Sequence, residues 1–120
     1  MNILVIGDIT GRPGREIIKK ELGKLKKKHQ IEFAIANAEN AAGGSGITPN
    51  IAEELWGYGI DVLTSGDHVW KKKEVLEILD KDERLLRPAN YPKTNPGSGS
   101  AVFTTTVSYT HLTLPTKRIV

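Results

Sequence analysis

The chain has 120 residues, a net charge of +3 and no cysteine. This length predicts one domain or a piece of a larger one, and so mild a charge does not indicate a nucleic-acid partner, although it leaves one possible. Without cysteine there is no disulfide scaffold, thiolate metal site or cysteine nucleophile. No apolar run approaches the ~18 residues of a membrane span, and no signal-peptide pattern follows Met1. We therefore expect a soluble cytoplasmic protein with no membrane partner.

Apolar runs alternate with segments of helical periodicity along the chain. Residues 2–6, 31–36 and 60–64 predict strands, and the first, rich in β-branched residues, is expected to be buried on both faces. The first helix is expected over 13–29, with Pro13 in its first turn, and the second from the pair Thr48–Pro49 to about Tyr58. A third helix over 72–79, irregular structure over 85–92 and a fourth strand over 101–105 complete the pattern. The inner helix faces are expected to carry Ile17, Ile18, Leu22 and Leu25 in the first helix, and Ile51, Ala52, Leu55 and Trp56 in the second.

This order of elements predicts an α/β fold with a mainly parallel sheet flanked by helices. In such folds the ligand site lies beyond the carboxyl ends of the strands. Polar residues stand at all three of these ends: Asp8 after the first strand, Glu39 and Asn40 after the second, and Asp67 and His68 after the third.

Carboxylate and amide oxygens with one imidazole suit a divalent metal such as manganese, iron or magnesium. Each residue also has a structural explanation that stays open. Asp8 would serve as a helix cap, Glu39 and Asn40 as ordinary loop residues, and His68 as a surface side chain. The presence of metal-ligating side chains at the ends of all three strands favours a metal or phosphate site over these separate structural explanations.

Familiar nucleotide motifs are absent. The glycines at positions 7, 11 and 14 lack the G-x-G-x-x-G spacing of dinucleotide-binding folds, and no P-loop sequence occurs. A phosphoacceptor receiver domain would place an acidic pair after its first strand, where this chain has only Asp8.

Four blocks resemble one family in order along the chain. They are IGDITGRPGR at 6–15, ANAENAAGGSGITP at 36–49, SGDHVW at 65–70 and LRPANYP at 86–92. Together they resemble the bacterial cyclic-nucleotide phosphodiesterase family of the calcineurin-like metallophosphoesterase superfamily, over roughly residues 1 to 105.

The resemblance implies a metal-dependent phosphodiesterase with two divalent ions, of which iron and manganese are the preferred candidates. Asp8 would bind one metal, Glu39 would bridge the two, Asn40 and Asp67 would bind the second, and His68 would be the general acid. The substrate would be a small phosphodiester such as a cyclic nucleotide. The complete fold would be an α/β/β/α sandwich, of which this chain supplies the N-terminal half. Arg12 and Arg15 are candidates for phosphate contact, with solvated charge at a helix start as the alternative.

Two departures from the family pattern bear on activity. Asp67 stands where the family more often has asparagine, and the family fold is about twice this length and supplies further histidines. Neither His29, at a helix end, nor His111, in the tail, replaces them. We expect an enzyme as the parent protein and an inactive fragment in isolation. The alternative is a non-catalytic α/β module that binds a nucleotide or a partner and keeps a vestigial metal site.

The last part of the chain has a different composition. All acidic residues lie at or before Glu83, and residues 104–116 contain six threonines. Residues 107–120 resemble translated adapter sequence, so we predict that residues 1–106 are the N-terminal portion of the domain and that the rest is not native sequence. The alternative is a divergent native strand over 107–114. An isolated half domain would expose apolar surface, so we expect the chain to be poorly stable or to aggregate.

Overall fold

The structure, a computed structural model, describes residues 1–105 and the backbone of residues 111–115. Its centre is a parallel three-stranded sheet of β1 (Ile3–Ile6), β2 (Phe33–Asn37) and β3 (Val62–Thr64), in the order β1-β2-β3. In register, Ile3 of β1 lies opposite Phe33 of β2. The predicted α/β class with a parallel sheet is confirmed.

Two helices cover one face of this sheet. α1 (Gly11–Lys28) and α2 (Pro49–Tyr58) pack on each other and on the sheet. The Thr48 hydroxyl caps α2 by accepting a hydrogen bond from the backbone N–H of Ile51 at 3.3 Å, and Gly59 ends the helix in the left-handed conformation. The core below the helices includes Ile18, Leu22, Ala36, Ala52, Leu55 and Leu63.

The first helix differs from its prediction in two respects. It begins at Gly11, two residues before Pro13, and its buried stripe is narrower than expected. Ile17 is 61% exposed and Leu25 is 39% exposed, while Ile18 and Leu22 are buried. The contact with α2 and the sheet thus uses only part of the apolar face of α1.

A second, antiparallel sheet lies on the opposite face. β4 (Ser100–Thr104) pairs with β5 (His111–Pro115), and Ala101 and Phe103 of β4 pack on a second core cluster from β2, β3 and Leu86. The rings of Phe33 and Phe103 are 5.7 Å apart. The described residues therefore form three layers, helices on sheet on sheet, as expected for the first part of the predicted sandwich. Residues 106–110 and 116–120 lie outside the described residues, so the proposed origin of the tail stays a prediction.

The segment between β3 and β4 is less regular than predicted. The predicted third helix is present over residues 73–79, but its first turn, Lys73–Val75, is 3-10 and only α3 (Leu76–Leu79) is α-helical. A separate 3-10 turn spans Asp67–Trp70. Lys72 has an extended backbone and separates this helical stretch from the turn over Asp67–Trp70. Beyond α3, the N–H of Leu63 donates to the carbonyl of Arg84 and the N–H of Leu86 donates to the carbonyl of Leu63, which places Leu85 in a short parallel bridge beside β3.

The prediction that the first strand is buried on both faces is wrong. Leu4 and Ile6 pack against the helix-side core, but Ile3 is 37% exposed and Val5 is 71% exposed. The reason is that β1 is the edge strand and that the second sheet covers the same face only above β2 and β3. Among the described residues, no helix combines the length and apolarity that a membrane crossing requires.

Candidate metal site

The three loops at the carboxyl ends of β1, β2 and β3 are tied together by backbone hydrogen bonds. The N–H of Ile9 donates to the carbonyl of Asn37 at 3.1 Å, and that of Gly11 donates to Asn40 at 2.9 Å. On the other side, the N–H of Ala38 donates to Thr64 at 2.9 Å. The sheet ladder thus continues past the strands and holds the polar residues of the three loops in one place, as the parallel topology predicts.

Asn40 connects the first loop to the third. Its Nδ2 lies 3.0 Å from both carboxylate oxygens of Asp8, and its Oδ1 lies 2.5 Å from Nδ1 of His68. Because the amide oxygen only accepts, Nδ1 of His68 carries the hydrogen in this contact. The Thr10 hydroxyl adds a further hydrogen bond to Asp8, at 3.3 Å.

Glu39 is oriented from both sides of the site. Its Oε1 accepts a hydrogen bond from Nδ2 of Asn37 at 3.3 Å, and its own N–H donates to Oδ1 of Asn37 at the same distance. Its Oε2 accepts from the backbone N–H of His68 at 3.3 Å and lies 3.7 Å from Nδ1 of that ring. The carboxylate therefore has a fixed direction at the end of β2.

The ligand atoms of Glu39, Asp67 and His68 all lie within 4.8 Å of one another. Asp8 adjoins this group through Asn40. The structure thus brings together the five residues that the sequence predicts as site residues. Sequence reasoning placed Asn37 at the end of the second strand but gave it no role in the site, although it lies within the second motif block. The glycines beside the polar clusters, Gly66 among them, were expected to allow tight turns and a close approach of the backbone to a ligand.

The donor set suits a hard divalent cation. It offers three carboxylates, an amide oxygen and an imidazole, which are the ligands of manganese, iron or magnesium. In the described part of the chain, neither Asp8 nor Glu39 forms an ion pair with a lysine or arginine. Negative charge concentrated without such a counterion favours cation binding.

The other candidates from the sequence lie elsewhere. Arg15 is bound to Glu54 of α2, with Nη1 at 3.1 Å and 3.2 Å from the two carboxylate oxygens, so it joins the two helices. Arg12 is exposed in the first turn of α1. His29 follows the C-terminal end of α1, and the side chain of His111 lies outside the described residues.

A parallel sheet with helices on one face, a second sheet on the other and acidic and histidine residues at the strand ends is the arrangement of a metallophosphoesterase-type fold. The YmdB-like protein family matches residues 4–114, and the chain belongs to this family, which is part of the metallophosphoesterase superfamily. The family match ends at residue 114 and therefore includes residues 107–114 of the stretch 107–120.

Curated relatives and solved structures agree with this assignment. The chain is 46% identical over 99 residues to a 2′,3′-cyclic-nucleotide 2′-phosphodiesterase of Bacillus subtilis, covering 82% of this chain and 38% of the relative. It is 40% identical over 90 residues to a putative phosphatase/phosphodiesterase of Mycoplasma genitalium, covering 75% of this chain and 32% of the relative.

A crystal structure of a hypothetical protein from Thermus thermophilus superposes with a TM-score of 0.86 at 33% identity, covering 94% of this chain and 43% of that one. A structure described as a novel phosphatase from Mycoplasma pneumoniae gives 0.78 at 37% identity, covering 84% and 37%. The chain thus spans about a third to two fifths of these relatives' length.

Proposed function

We propose that the chain is the N-terminal part of a metal-dependent phosphodiesterase that hydrolyses cyclic nucleotides or related small phosphodiesters at a dinuclear metal site. The observation that carries the proposal is the convergence of Asp8, Glu39, Asn40, Asp67 and His68 at one edge of the sheet. The names of the relatives, which include a cyclic-nucleotide phosphodiesterase, support the reaction class.

The proposed division of labour follows the positions of the side chains. Asp8 would bind one ion, Glu39 would bridge the two, and Asn40 and Asp67 would hold the second. The preferred ions are iron and manganese. When bound, they would polarise the phosphate and supply a nucleophilic water at neutral pH. Asn37 would keep the Glu39 carboxylate directed into the site.

His68 would act as the general acid. Its Nδ1–H contact with Asn40 fixes the orientation of the ring and leaves Nε2 as the nitrogen available to a substrate. The side chain is 38% exposed, so an outside ligand reaches it. With Nδ1–H held by Asn40, Nε2 carries a proton only in the imidazolium form, and that proton would pass to the leaving oxygen as the phosphate ester bond breaks and leave His68 neutral. Such general-acid catalysis contributes about 10²–10⁴-fold in rate.

We propose that residues 1–106 need the remainder of the parent domain for turnover and that the isolated chain is inactive. The donor set described above lacks the further histidines that the family resemblance implies. A cytoplasmic location of the parent, and a tail over 107–120 that is not native, stay predictions from the sequence.

The competing candidate is a non-catalytic module that binds a nucleotide or a partner and keeps the site as a vestige. Asp67 favours it, because a third carboxylate in place of an amide lowers the positive charge available to a phosphate. Nucleotide binding in the absence of metal would support this candidate.

The first test measures Mn²⁺ binding to the metal-free 120-residue chain by calorimetry, with Glu39→Gln as the site variant and Glu74→Gln, on an exposed carboxylate, as its control. The proposal predicts that only Glu39→Gln weakens binding. The full-length parent is then assayed with 2′,3′-cyclic AMP and Mn²⁺. Metal-dependent hydrolysis that His68→Ala abolishes supports the phosphodiesterase, whereas metal-independent nucleotide binding without turnover contradicts it.

A further inference from the structure

Arg87 is a buried cation outside the candidate metal site. It is 5% exposed and follows the short bridge that pairs with β3. Its guanidinium donates to the carbonyls of three prolines: Nη1 to Pro88 at 2.9 Å, Nε to Pro96 at 3.2 Å and Nη2 to Pro92 at 3.4 Å. These bonds close the loop over residues 88–98 around the side chain and fix the guanidinium in place.

The charge of Arg87 has no carboxylate partner in the described part of the chain. An arginine stays protonated in proteins, and a buried charge without a counter-ion has a high free-energy cost. Carbonyl dipoles reduce this cost but leave the net charge in place. The three bonds also use only three of the five N–H groups of a guanidinium. A buried, rigid and uncompensated guanidinium is suited to bind an anion.

A cavity of about 370 Å³ opens beside this side chain. Lys93 provides a second cation, and Tyr91 and Ser100 contribute hydroxyl groups, whereas the Ser98 hydroxyl donates to the carbonyl of Ser100 at 2.7 Å. None of the lining residues is acidic. At the rim, the carboxylate of Asp80 accepts a hydrogen bond from the N–H of Gly97 at 2.6 Å. The remaining lining residues are Ala89, Gly97 and Gly99.

We propose that this cavity is a phosphate-binding site in which Arg87 and Lys93 contact the anion. The planar guanidinium matches the geometry of phosphate oxygens, and the lysine adds a mobile point charge. The site shares no residue with the metal cluster and does not depend on the proposed phosphodiesterase activity. The cavity nevertheless contacts the segment that carries the metal cluster. Tyr91, which lines the cavity, packs edge-on against Trp70, two residues after His68, with the ring centroids 5.5 Å apart. The ligand is either free inorganic phosphate or the phosphate of a nucleotide.

The test titrates the metal-free 120-residue chain with inorganic phosphate at constant ionic strength, in the presence of a chelator. Chemical shifts of the backbone amides of Gly97 and Gly99 report the cavity, and those of Asp8 and Glu39 report the metal site. Lys93→Gln removes a lining charge without touching the buried core, and Lys28→Gln, at the exposed end of α1, is the matched control. Arg87→Lys, checked for native folding by its unfolding midpoint, tests the guanidinium.

We expect saturable shifts at Gly97 and Gly99, and an affinity reduced about 3- to 10-fold by Lys93→Gln but unchanged by Lys28→Gln. Tighter binding of adenosine monophosphate, with shifts at Tyr91, identifies a nucleotide phosphate, whereas equal affinity identifies free phosphate. Shifts confined to the metal site, no saturation, or an equal effect of the two lysine variants overturns the proposal. Loss of Mn²⁺ binding in Glu39→Gln leaves it unaffected, so the two proposals fail independently.

Discussion

The carboxylate of Glu39 lies directly over the α-carbon of Gly66. A β-carbon added at position 66 would collide with both carboxylate oxygens. The backbone of Gly66, with φ of −120°, is accessible to any residue, so the constraint is the space that Glu39 occupies and not the conformation of the loop. The ends of β2 and β3 thus meet at a contact in which a side chain at position 66 would displace the Glu39 carboxylate.

Gly66→Ala is expected to displace Glu39 and to lower Mn²⁺ affinity by about tenfold or more, as is typical when the support of a metal ligand is lost. Gly23→Ala is the control, because nothing lies within 4 Å of its added β-carbon in the interior of α1. That change is expected to stabilise the chain by about 0.5–1 kcal/mol. Calorimetric titration and urea unfolding measure both effects, and unchanged Mn²⁺ affinity in Gly66→Ala would show that Glu39 is not a ligand.

Asn37 is expected to act on the metal through Glu39. Asn37→Ala removes the hydrogen bond that Nδ2 of Asn37 donates to the Glu39 carboxylate and the one that Oδ1 of Asn37 accepts from the N–H of Glu39. The Mn²⁺ affinity is therefore expected to fall about 10–100-fold. In the full-length parent, Asn37→Ala is expected to lower the affinity for Mn²⁺ more than it lowers kcat measured at saturating Mn²⁺. Asn50→Ala, at an exposed position of α2, is the control and leaves both values unchanged. A rate loss that excess Mn²⁺ does not restore argues for a different role.

Asp67→Asn tests the departure from the family pattern. The substitution keeps an oxygen ligand and removes a negative charge, so Mn²⁺ affinity is expected to fall several-fold, in line with the loss of one charge–charge contact. In the full-length parent the turnover of a phosphodiester is expected to rise, because the site becomes more positive toward the phosphate. Steady-state kinetics at saturating Mn²⁺ measure this. A lower kcat in Asp67→Asn would show that the aspartate itself is required.

The pair of Asp82 and Arg84 is expected to give a small stability contribution that depends on pH. The hydrogen bond from the Arg84 guanidinium, at 2.7 Å, lowers the pKa of the Asp82 carboxyl. A lowered folded-state pKa stabilises the fold above the unfolded value of about 3.9 and loses that effect as the pH falls through the folded value. Because both side chains are partly exposed, the contribution at pH 7 is less than about 1 kcal/mol.

Urea unfolding of Asp82→Asn therefore shows a modest loss of stability at pH 7 that disappears near pH 2. Glu83→Gln, at the exposed neighbouring position, is the control. An equal loss at both pH values would indicate a role of Asp82 in the turn rather than in the ion pair.

The exposed face of β1 is expected to drive self-association of the isolated chain. Val5 is 71% exposed on an edge strand, where unpaired backbone groups and apolar side chains together favour intermolecular pairing. Val5→Lys is expected to reduce aggregation in light-scattering measurements and to cost less than about 0.5 kcal/mol in stability, since the side chain is mainly exposed. Ile17→Lys removes a comparably exposed apolar group from α1 and is expected to have a smaller effect. A monomeric wild-type chain with a sharp, cooperative thermal transition would contradict this prediction.

The parallel sheet and the position of the site followed from local sequence patterns. Short β-branched runs, the Thr48–Pro49 helix start and polar residues after each strand are signals that neighbouring residues carry, and parallel topology then places the strand ends at one edge. For this reason the sequence predicts that Asp8, Glu39, Asn40, Asp67 and His68 lie at the same edge of the sheet. The roles of these five residues in binding and catalysis stay predictions.

Other features depended on contacts between residues far apart in the sequence. Val5 and Phe33 both belong to apolar runs, yet one is exposed and the other buried, because strand order and the reach of β4 decide which face is covered. The support of Glu39 by Asn37 and Gly66, the use of Arg15 in a helix–helix ion pair and the cavity at Arg87 have the same origin. The sequence by itself determined which chemical groups stand at the strand ends; only the tertiary structure decided which of them touch, because contact and burial arise from the packing of whole layers.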